Sequence, residues 1–190
     1  MSAARIALLT CISMSGCGSG PQVDVYTGAI EASDARIAIA TDGERVTLYA
    51  CGGKEEASMR AFTVWYRGPL GQREWKAQSP MILDLVIGDR TARGTLVDLN
   101  GAGHAFSAQI GGRLFSTVDR GCRAGVIVDP RLGSQGVWCD SFDDLVAQVD
   151  PGAPMIADRE ALDVRVAHPN GDTFNLLLEA VDPSDLASPP

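Results

Sequence analysis

Short apolar runs separated by glycine-bearing turns dominate the chain after residue 22. In residues 45–50, Val46 and Leu48 share one face of an extended chain while Thr47 and Tyr49 share the other. Alternation with a period of two is typical of a half-buried β-strand. Similar runs occur at 25–32, 36–43, 62–68, 81–88, 92–101, 103–112, 112–119 and 124–130. The pattern predicts a mainly β fold, as a small antiparallel barrel or as a sandwich or meander.

Three dipeptides between apolar runs predict tight hairpins: Asp42-Gly43, Asn100-Gly101 and Asn170-Gly171. Such pairs tolerate the positive φ that a type I′ turn requires at both central positions. Alternating apolar residues flank the third pair, at 162–166 and 174–178. We therefore expect a C-terminal β-hairpin.

Residues 141–149 predict a short helix between these strands and the C-terminal hairpin. Phe142, Leu145, Val146 and Val149 follow the i, i+3, i+4, i+7 spacing of an apolar helix face. Asp140 and Ser141 are side chains that can cap its first turn. We therefore expect a β-domain at 23–128, a helix-plus-hairpin appendage at 129–182 packed on it, and a disordered tail at 183–190.

Charge and composition exclude one class of partner. The 190-residue chain has a formal net charge of −8, and 45% of its residues are hydrophobic. This apolar content is typical of a globular protein. A negative protein has no charge attraction for nucleic acid, so no nucleic-acid partner is expected.

The N-terminal residues have the pattern of a signal peptide. Arg5 is followed by about nine apolar or small residues at 6–14, far fewer than the roughly 20 that span a bilayer. The run ends in Met14-Ser15-Gly16-Cys17. These four residues resemble the lipobox of bacterial lipoproteins, an aliphatic residue, two small ones and a cysteine, although the family usually has leucine at the position of Met14. The alternatives are a secretory signal cut elsewhere and a cytosolic N-terminal strand.

The lipoprotein resemblance implies where the protein resides. Residues 1–16 would be a signal peptide, Cys17 would carry diacylglycerol and an acylated amine such as a palmitoyl amide, and 17–22 would be a flexible tether. Two or more acyl chains hold a protein stably at a membrane. The mature chain, with a net charge of −9 after loss of Arg5, would face the extracytoplasmic side of the bacterial cell envelope, with the membrane as partner through its lipid anchor.

A second resemblance covers the body of the chain. The strings DGERVTLYACGG, VWYRG, GTLVDLNGAGHAFSA and AGVIVD are similar to a β-domain of uncharacterised bacterial secreted and membrane-anchored proteins. That domain has the pattern DGxxVxxYxCDG, then WFxG, a strand-rich middle and AGxY. The match spans about residues 23–128, with Gly52 in place of aspartate and Tyr66 in place of phenylalanine. The family carries no assigned activity, so the resemblance implies a fold and no function.

Three cysteines remain after cleavage and acylation at Cys17: Cys51, Cys122 and Cys139. Outside the cytosol, one pair is expected to oxidise. We favour a Cys122–Cys139 disulfide, because these cysteines flank a glycine-rich loop. By closing that loop, the disulfide would add roughly 3 kcal/mol to the free energy of unfolding. Cys51 would then be a free thiol. A bridge from Cys51 to either of the other two is the alternative.

No pattern of catalytic or metal-binding residues stands out. The chain lacks the paired ligand spacing of structural zinc sites, and His104 and His168 are isolated. We therefore expect no metal and no cofactor, and a non-enzymatic binding module. Trp75, beside Arg73 and Lys76, is a candidate contact for a protein or glycan, and the alternative for Trp75 is that it caps one end of the barrel. The alternative to a binding module is a small extracytoplasmic hydrolase that uses the thiol of Cys51 or a carboxylate pair.

Overall fold

The computed structural model describes residues 22–71, 74–75, 82–149, 156–157 and 160–184. The predicted signal peptide, Cys17 and nearly all of the tether lie outside these ranges. The described residues form one helix, α1 (Glu56–Phe62), and the following strands. They are β1 (Asp24–Ile30), β2 (Arg36–Thr41), β3 (Arg45–Cys51), β4 (Val64–Pro69), β5 (Glu74–Trp75), β6 (Ile82–Ile87), β7 (Thr91–Val97), β8 (Gly103–Ile110), β9 (Arg113–Asp119), β10 (Cys122–Asp129), β11 (Gly133–Asp140), β12 (Leu145–Gln148), β13 (Ile156–Ala157), β14 (Ala161–Ala167) and β15 (Thr173–Ala180).

The strands form two curled antiparallel sheets, each a half-barrel, as the mainly β prediction requires. The first half-barrel has the order β4-β3-β2-β1-β8-β7-β6-β5, and the second has β12-β11-β10-β9-β15-β14-β13. In both, the first four strands form a meander, and the last strand returns to pair with the first. Among the described residues the two sheets therefore share one connectivity, except that the first has eight strands and the second has seven. The chain passes between them at Gly111 and Gly112.

The three predicted hairpins are present, but their turns are not of type I′, because in each pair only the glycine has a positive φ. Gly43, Gly101 and Gly171 have φ of 90°, 86° and 95°, and they join β2 to β3, β7 to β8 and β14 to β15. Only glycine adopts this left-handed backbone without steric cost. The turn chemistry of the sequence thus sets these three strand pairings.

Alternation along each strand sends its side chains into two different cores. In β2, Ile37 and Ile39 point into the first half-barrel. The intervening Ala38 and Ala40 face a separate cluster between the two sheets. Phe115 and Trp138 fill the interior of the second half-barrel. The half-barrels are therefore packed back to back through a shared apolar layer.

Polar side chains fix the two half-barrels against each other. Asp129, which is 1% exposed, accepts a hydrogen bond from the Thr27 hydroxyl at 2.7 Å. The Arg131 guanidinium binds the same carboxylate at 2.7 Å and the Thr27 carbonyl at 2.8 Å. The Gln135 side-chain amide donates to the Cys51 and Gly52 carbonyls. The β10–β11 hairpin is thus tied to the first half-barrel.

The helix predicted at 141–149 is wrong. Residues 141–144 form a turn, and β12 follows it. Asp140 accepts a hydrogen bond from the Phe142 amide at 2.9 Å, as a helix cap would, but Asp144 has a φ of 50° and stops any helix there. Phe142 is 79% exposed, so the expected apolar stripe is not used as one face. The helix of the fold is instead α1.

The boundary between the two sheets also differs from the predicted division of the chain. Residue 128 lies inside β10, and the sheets divide at residues 111–112. The second half-barrel therefore combines the last strands of the predicted β-domain with the predicted appendage. Of the predicted disordered tail, Pro183 and Ser184 are described: Pro183 is buried, and the Ser184 carbonyl accepts a hydrogen bond from Arg45 at 3.0 Å. Residues 185–190 lie outside the described ranges.

Candidate functional site

The two half-barrels differ at the end where the third strand of each sheet finishes, which we call the distal end. In the first half-barrel the link from β3 to β4 contains α1. The Phe62 ring packs edge-on against the His104 ring with centroids 5.0 Å apart. The Leu99 amide donates to the Ala61 carbonyl at 3.0 Å. Helix α1 therefore covers the β7–β8 hairpin and closes the distal end.

The distal end of the second half-barrel has no helix of its own within the described residues, although Arg60 of α1 donates hydrogen bonds to the carboxylate and the carbonyl of Asp144. The link from β11 to β12 is only the turn at 141–144. A cavity of about 600 Å³ lies at this end, lined by Asp119, Arg120, Asp143, His168, Asn170, Asp172, Thr173, Phe174, Asn175 and Leu176. This volume falls in the range of small-molecule and side-chain pockets. We call it the distal cavity.

Trp138 connects the cavity to the core. The indole N–H of Trp138 donates to the Asp119 carboxylate at 2.8 Å. The Trp138 ring lies 5.4 Å from the His168 ring and 5.3 Å from the Phe174 ring, between centroids. Trp138 itself is fully buried, so it positions these three lining side chains and offers no surface of its own.

The β14–β15 hairpin supplies much of the cavity wall. The Asn170 backbone N–H donates to Nδ1 of His168 at 3.2 Å. The Asn170 side-chain amide donates to the Asp172 carboxylate at 2.9 Å. Because Nδ1 accepts, a neutral His168 ring carries its proton on Nε2, which remains a hydrogen-bond donor. The hairpin therefore holds an imidazole, an amide and a carboxylate in fixed positions.

The distal cavity is acidic. Three of its lining residues are aspartates and one is an arginine. Arg120 is directed toward the buried carboxylate of Asp140, with N and O atoms 3.4 Å apart. The cavity is thus suited to a neutral polar or cationic group, with aromatic and apolar surface from Phe174 and Leu176.

Of the cysteines, the structure places Cys122 and Cys139 in a disulfide with Cα atoms 5.7 Å apart, which confirms the favoured pairing. It joins β10 to β11. Cys51 is free and fully buried at the interface between the half-barrels. Burial raises the pKa of the Cys51 thiol to about 12. Cys51 is therefore neutral near pH 7 and contributes to packing.

The remaining sequence candidates are separated from the distal cavity or lie outside the described side chains. His104 lies 3.3 Å from the buried Asp98 carboxylate and under Phe62, inside the closed end of the first half-barrel. Trp75 lies on β5, and its side chain is outside the described part of the structure. His168, which is isolated in the sequence, is the one of these candidates that lines the cavity.

Sequence reasoning missed Asp119, Asp172 and Phe174 as site residues. The available signal was a set of polar side chains at two turns, 119–121 and 168–172. Those turns are far apart in sequence and meet only because β9 neighbours β15 in the sheet. The strand order, which no short motif encodes, was needed to combine them.

Comparisons with family models, with curated proteins and with solved structures found no match. Among the described residues, no helix is long and apolar enough to cross a membrane. The same residues contain no group of three or more histidine, cysteine or acidic side chains arranged to hold a metal ion. The function is therefore inferred from the geometry of the chain itself.

Proposed function

We propose that this protein is a non-enzymatic binding module of the bacterial cell envelope, held at the membrane by lipid on Cys17, and that it binds its partner in the distal cavity of the second half-barrel. The observation that carries the proposal is the difference between the two distal ends. One is covered by α1 and packed, whereas the other leaves a cavity of about 600 Å³.

The position of the cavity supports a binding site that faces away from the membrane to which the protein is tethered. The Gly111 amide donates to the Val25 carbonyl at 3.0 Å, so β9 begins beside the point where the chain enters the fold. Asp119 lies six residues along β9 from Arg113, a distance of about 20 Å at the rise of a β-strand. The binding end would therefore point away from the anchor.

The enzyme alternative finds less support. A thiol hydrolase needs an accessible thiolate beside a base, but Cys51 is buried with its pKa raised to about 12. The distal cavity is lined by carboxylates that a carboxylate-based hydrolase would need, but the same carboxylates can equally well bind a partner. The disulfide between Cys122 and Cys139 supports an extracytoplasmic location, because such bonds persist in oxidising compartments.

Photo-crosslinking from matched positions tests the binding role. A photoreactive residue would replace Asn170, which lines the cavity, or Asn100, which holds the equivalent turn of the first half-barrel. We expect a discrete adduct in intact bacteria from position 170 and none from position 100. No adduct from either position, or equal adducts from both, would contradict a binding site at the distal cavity.

Intact mass tests the anchor. The full chain expressed in a bacterial host is expected to begin at Cys17 and to carry the mass of a diacylglycerol and an acyl group. A Cys17→Ala variant is expected to lack that mass and to leave the membrane fraction. A wild-type chain without lipid would overturn the anchor but leave the binding site to be judged by the crosslinks.

A further inference from the structure

The pairing between β9 and β15 is unusually short. The strands are paired only at Glu179↔Ser116 and Ala180↔Phe115, although each pairs over seven positions with its other neighbour. In the first half-barrel the equivalent strands β1 and β8 pair over five positions. Beyond Ser116 and Glu179, the facing edges of β9 and β15 therefore form an open seam.

Strand alternation identifies the backbone groups that face this seam. The Val181 amide donates to Leu114 of β9, whereas the Ala180 amide donates to Glu160 on the side of β14. Successive residues of a strand direct their N–H and C=O groups to opposite neighbours. The backbone of Leu177 therefore faces the seam, opposite Val118, and no strand pairing satisfies it across the described residues of β9.

Cavities lie on both faces of the seam. The distal cavity opens on the inner face, where Asp119 and Phe174 contact the core through Trp138. A second cavity of about 700 Å³ lies on the outer face, lined by Arg67, Ser116, Thr117, Val118, Arg123, Leu177, Glu179, Ala180, Val181 and Asp182. Val118 is 57% exposed and Leu177 is 62% exposed, so this face presents apolar surface.

We propose that the seam binds an extended segment of a partner protein, which pairs with the edge of β15 and places basic side chains in the distal cavity and apolar side chains on Val118 and Leu177. This inference deepens the proposed function and rests on it. An unpaired strand edge gains hydrogen bonds from an added strand, and alternate side chains of that strand enter pockets on its two faces. The seam offers both features.

The charge of the distal cavity indicates which kind of partner segment would bind. The distal cavity has three aspartates against one arginine, which favours lysine or arginine on the inner side of the added strand. The predicted C-terminal tail of this chain carries aspartate and no basic residue, so it does not complement the cavity. A glycan would use the polar groups of the cavity but would leave the backbone edge and the exposed Val118 and Leu177 without a partner.

Synthetic hexapeptides test the proposal on the full chain purified in detergent. The probe is a peptide of alternating lysine and valine. Its controls are the glutamate–valine counterpart, the lysine–valine peptide methylated on every second backbone nitrogen, and maltohexaose. We expect the lysine–valine peptide to bind at least about tenfold more tightly than each control, because charge and main-chain pairing both contribute.

Two variants of the seam keep the test independent of folding defects. Asp172→Lys reverses one exposed charge of the cavity, and Glu55→Lys makes the same change beside α1 as a matched control. Leu177→Pro removes an N–H that faces the seam and that pairing with β14 does not use. We expect Asp172→Lys and Leu177→Pro each to weaken peptide binding by about tenfold or more, and Glu55→Lys to leave it unchanged.

The outcomes separate this inference from the proposed function. Equal binding of the methylated peptide, tighter binding of maltohexaose than of the peptide, or an unchanged affinity in Asp172→Lys would overturn the peptide-strand inference. If a crosslink from position 170 is still obtained, the binding module stands with another ligand. If neither crosslink nor peptide binding is observed, both proposals fall.

Discussion

The two half-barrels have one connectivity but differ in closure. In the first, five residue pairs join β1 to β8, and α1 covers the distal end. In the second, two residue pairs join β9 to β15, and a four-residue turn stands where the helix would be. In the first half-barrel, Ala29 of β1 pairs with Ser107 of β8. The equivalent residues of the second half-barrel, Val118 of β9 and Leu177 of β15, are not paired.

This difference indicates which part of the molecule provides stability and which part leaves surface for a partner. A sheet that is fully paired and capped satisfies its backbone and buries its apolar ends, and it leaves little surface for a partner. The second half-barrel retains a filled interior around Trp138 and Phe115 but leaves its edge and end unfilled. Under the proposed function, the first half-barrel serves as support and the second carries the binding site.

Removal of the cap is expected to have the largest effect on stability. Phe62 is 5% exposed in α1, and Phe62→Ala should lower the free energy of unfolding by about 4 kcal/mol because a buried ring leaves a cavity. Phe142→Ala, in the equivalent link of the second half-barrel, removes a ring that is 79% exposed. It should cost no more than about 0.5 kcal/mol.

Urea unfolding of both variants, followed by tryptophan fluorescence, measures this contrast. Equal destabilisation by the two substitutions would mean that the turn at 141–144 also acts as a cap. The described difference between the distal ends would then not explain the cavity.

The disulfide offers the next contrast, because the half-barrels place a cysteine at equivalent points. Cys51 in β3 lies opposite Arg36, and Cys139 lies two residues beyond the Val137↔Gly125 pair, opposite Arg123. Only Cys139 is bridged, to Cys122. Replacing both bridged cysteines with serine should lower the free energy of unfolding by about 3 kcal/mol, whereas Cys51→Ala should cost about 1 kcal/mol.

Thiol alkylation followed by mass spectrometry checks the same assignment. The folded protein without reductant should incorporate no label at Cys51, because its thiol is buried and neutral. Denaturant without reductant should expose that single thiol of the folded body. Rapid labelling of Cys51 in the folded protein would instead revive the thiol-enzyme alternative.

The fold class was predictable because its signals are local. Alternation along 45–50 and the glycine of each hairpin turn depend only on neighbouring residues, and Gly43, Gly101 and Gly171 all have the expected positive φ. The disulfide was also predictable from the sequence, since Cys122 and Cys139 flank one glycine-rich loop.

The helix and the site were not predictable for physical reasons. The spacing of Phe142, Leu145 and Val149 fits a helix, but pairing of β12 with β11 decided the structure of that segment. Asp119 and His168 become neighbours only through pairing of strands that are distant in sequence. Neither choice can be made before the sheet order is known.

Equivalent positions allow a third contrast, between Asp129, the last residue of β10, and Asp42, the first residue after β2. Burial alone would raise the pKa of Asp129, but hydrogen bonds from Arg131 and Thr27 hold it well below its ordinary value. Asp129→Asn should lower the free energy of unfolding by about 2 kcal/mol at pH 7. Asp42→Asn, which affects hydrogen bonds within one turn only, should cost less.

The pH dependence gives the sign of this effect. A carboxyl group with a lowered folded-state pKa stabilises the protein above the ordinary pKa near 3.8, and the contribution is lost as the pH falls further. The difference in urea midpoint between wild type and Asp129→Asn should therefore be constant from pH 7 to about 5 and shrink below about pH 4. A difference that grows on acidification would contradict the role assigned to Asp129.

The smallest expected effect tests what the half-barrels share. Gly101 and Gly171 hold equivalent turns with φ of 86° and 95°, and no atom lies within 4 Å of a Cβ added at either position. Gly101→Ala and Gly171→Ala should each cost about 1 kcal/mol, from backbone strain alone. Thermal unfolding should give the two variants the same loss within about 0.5 kcal/mol. A clearly larger loss for Gly171→Ala would mean that the wall of the distal cavity depends on its turn more strongly than the capped end does.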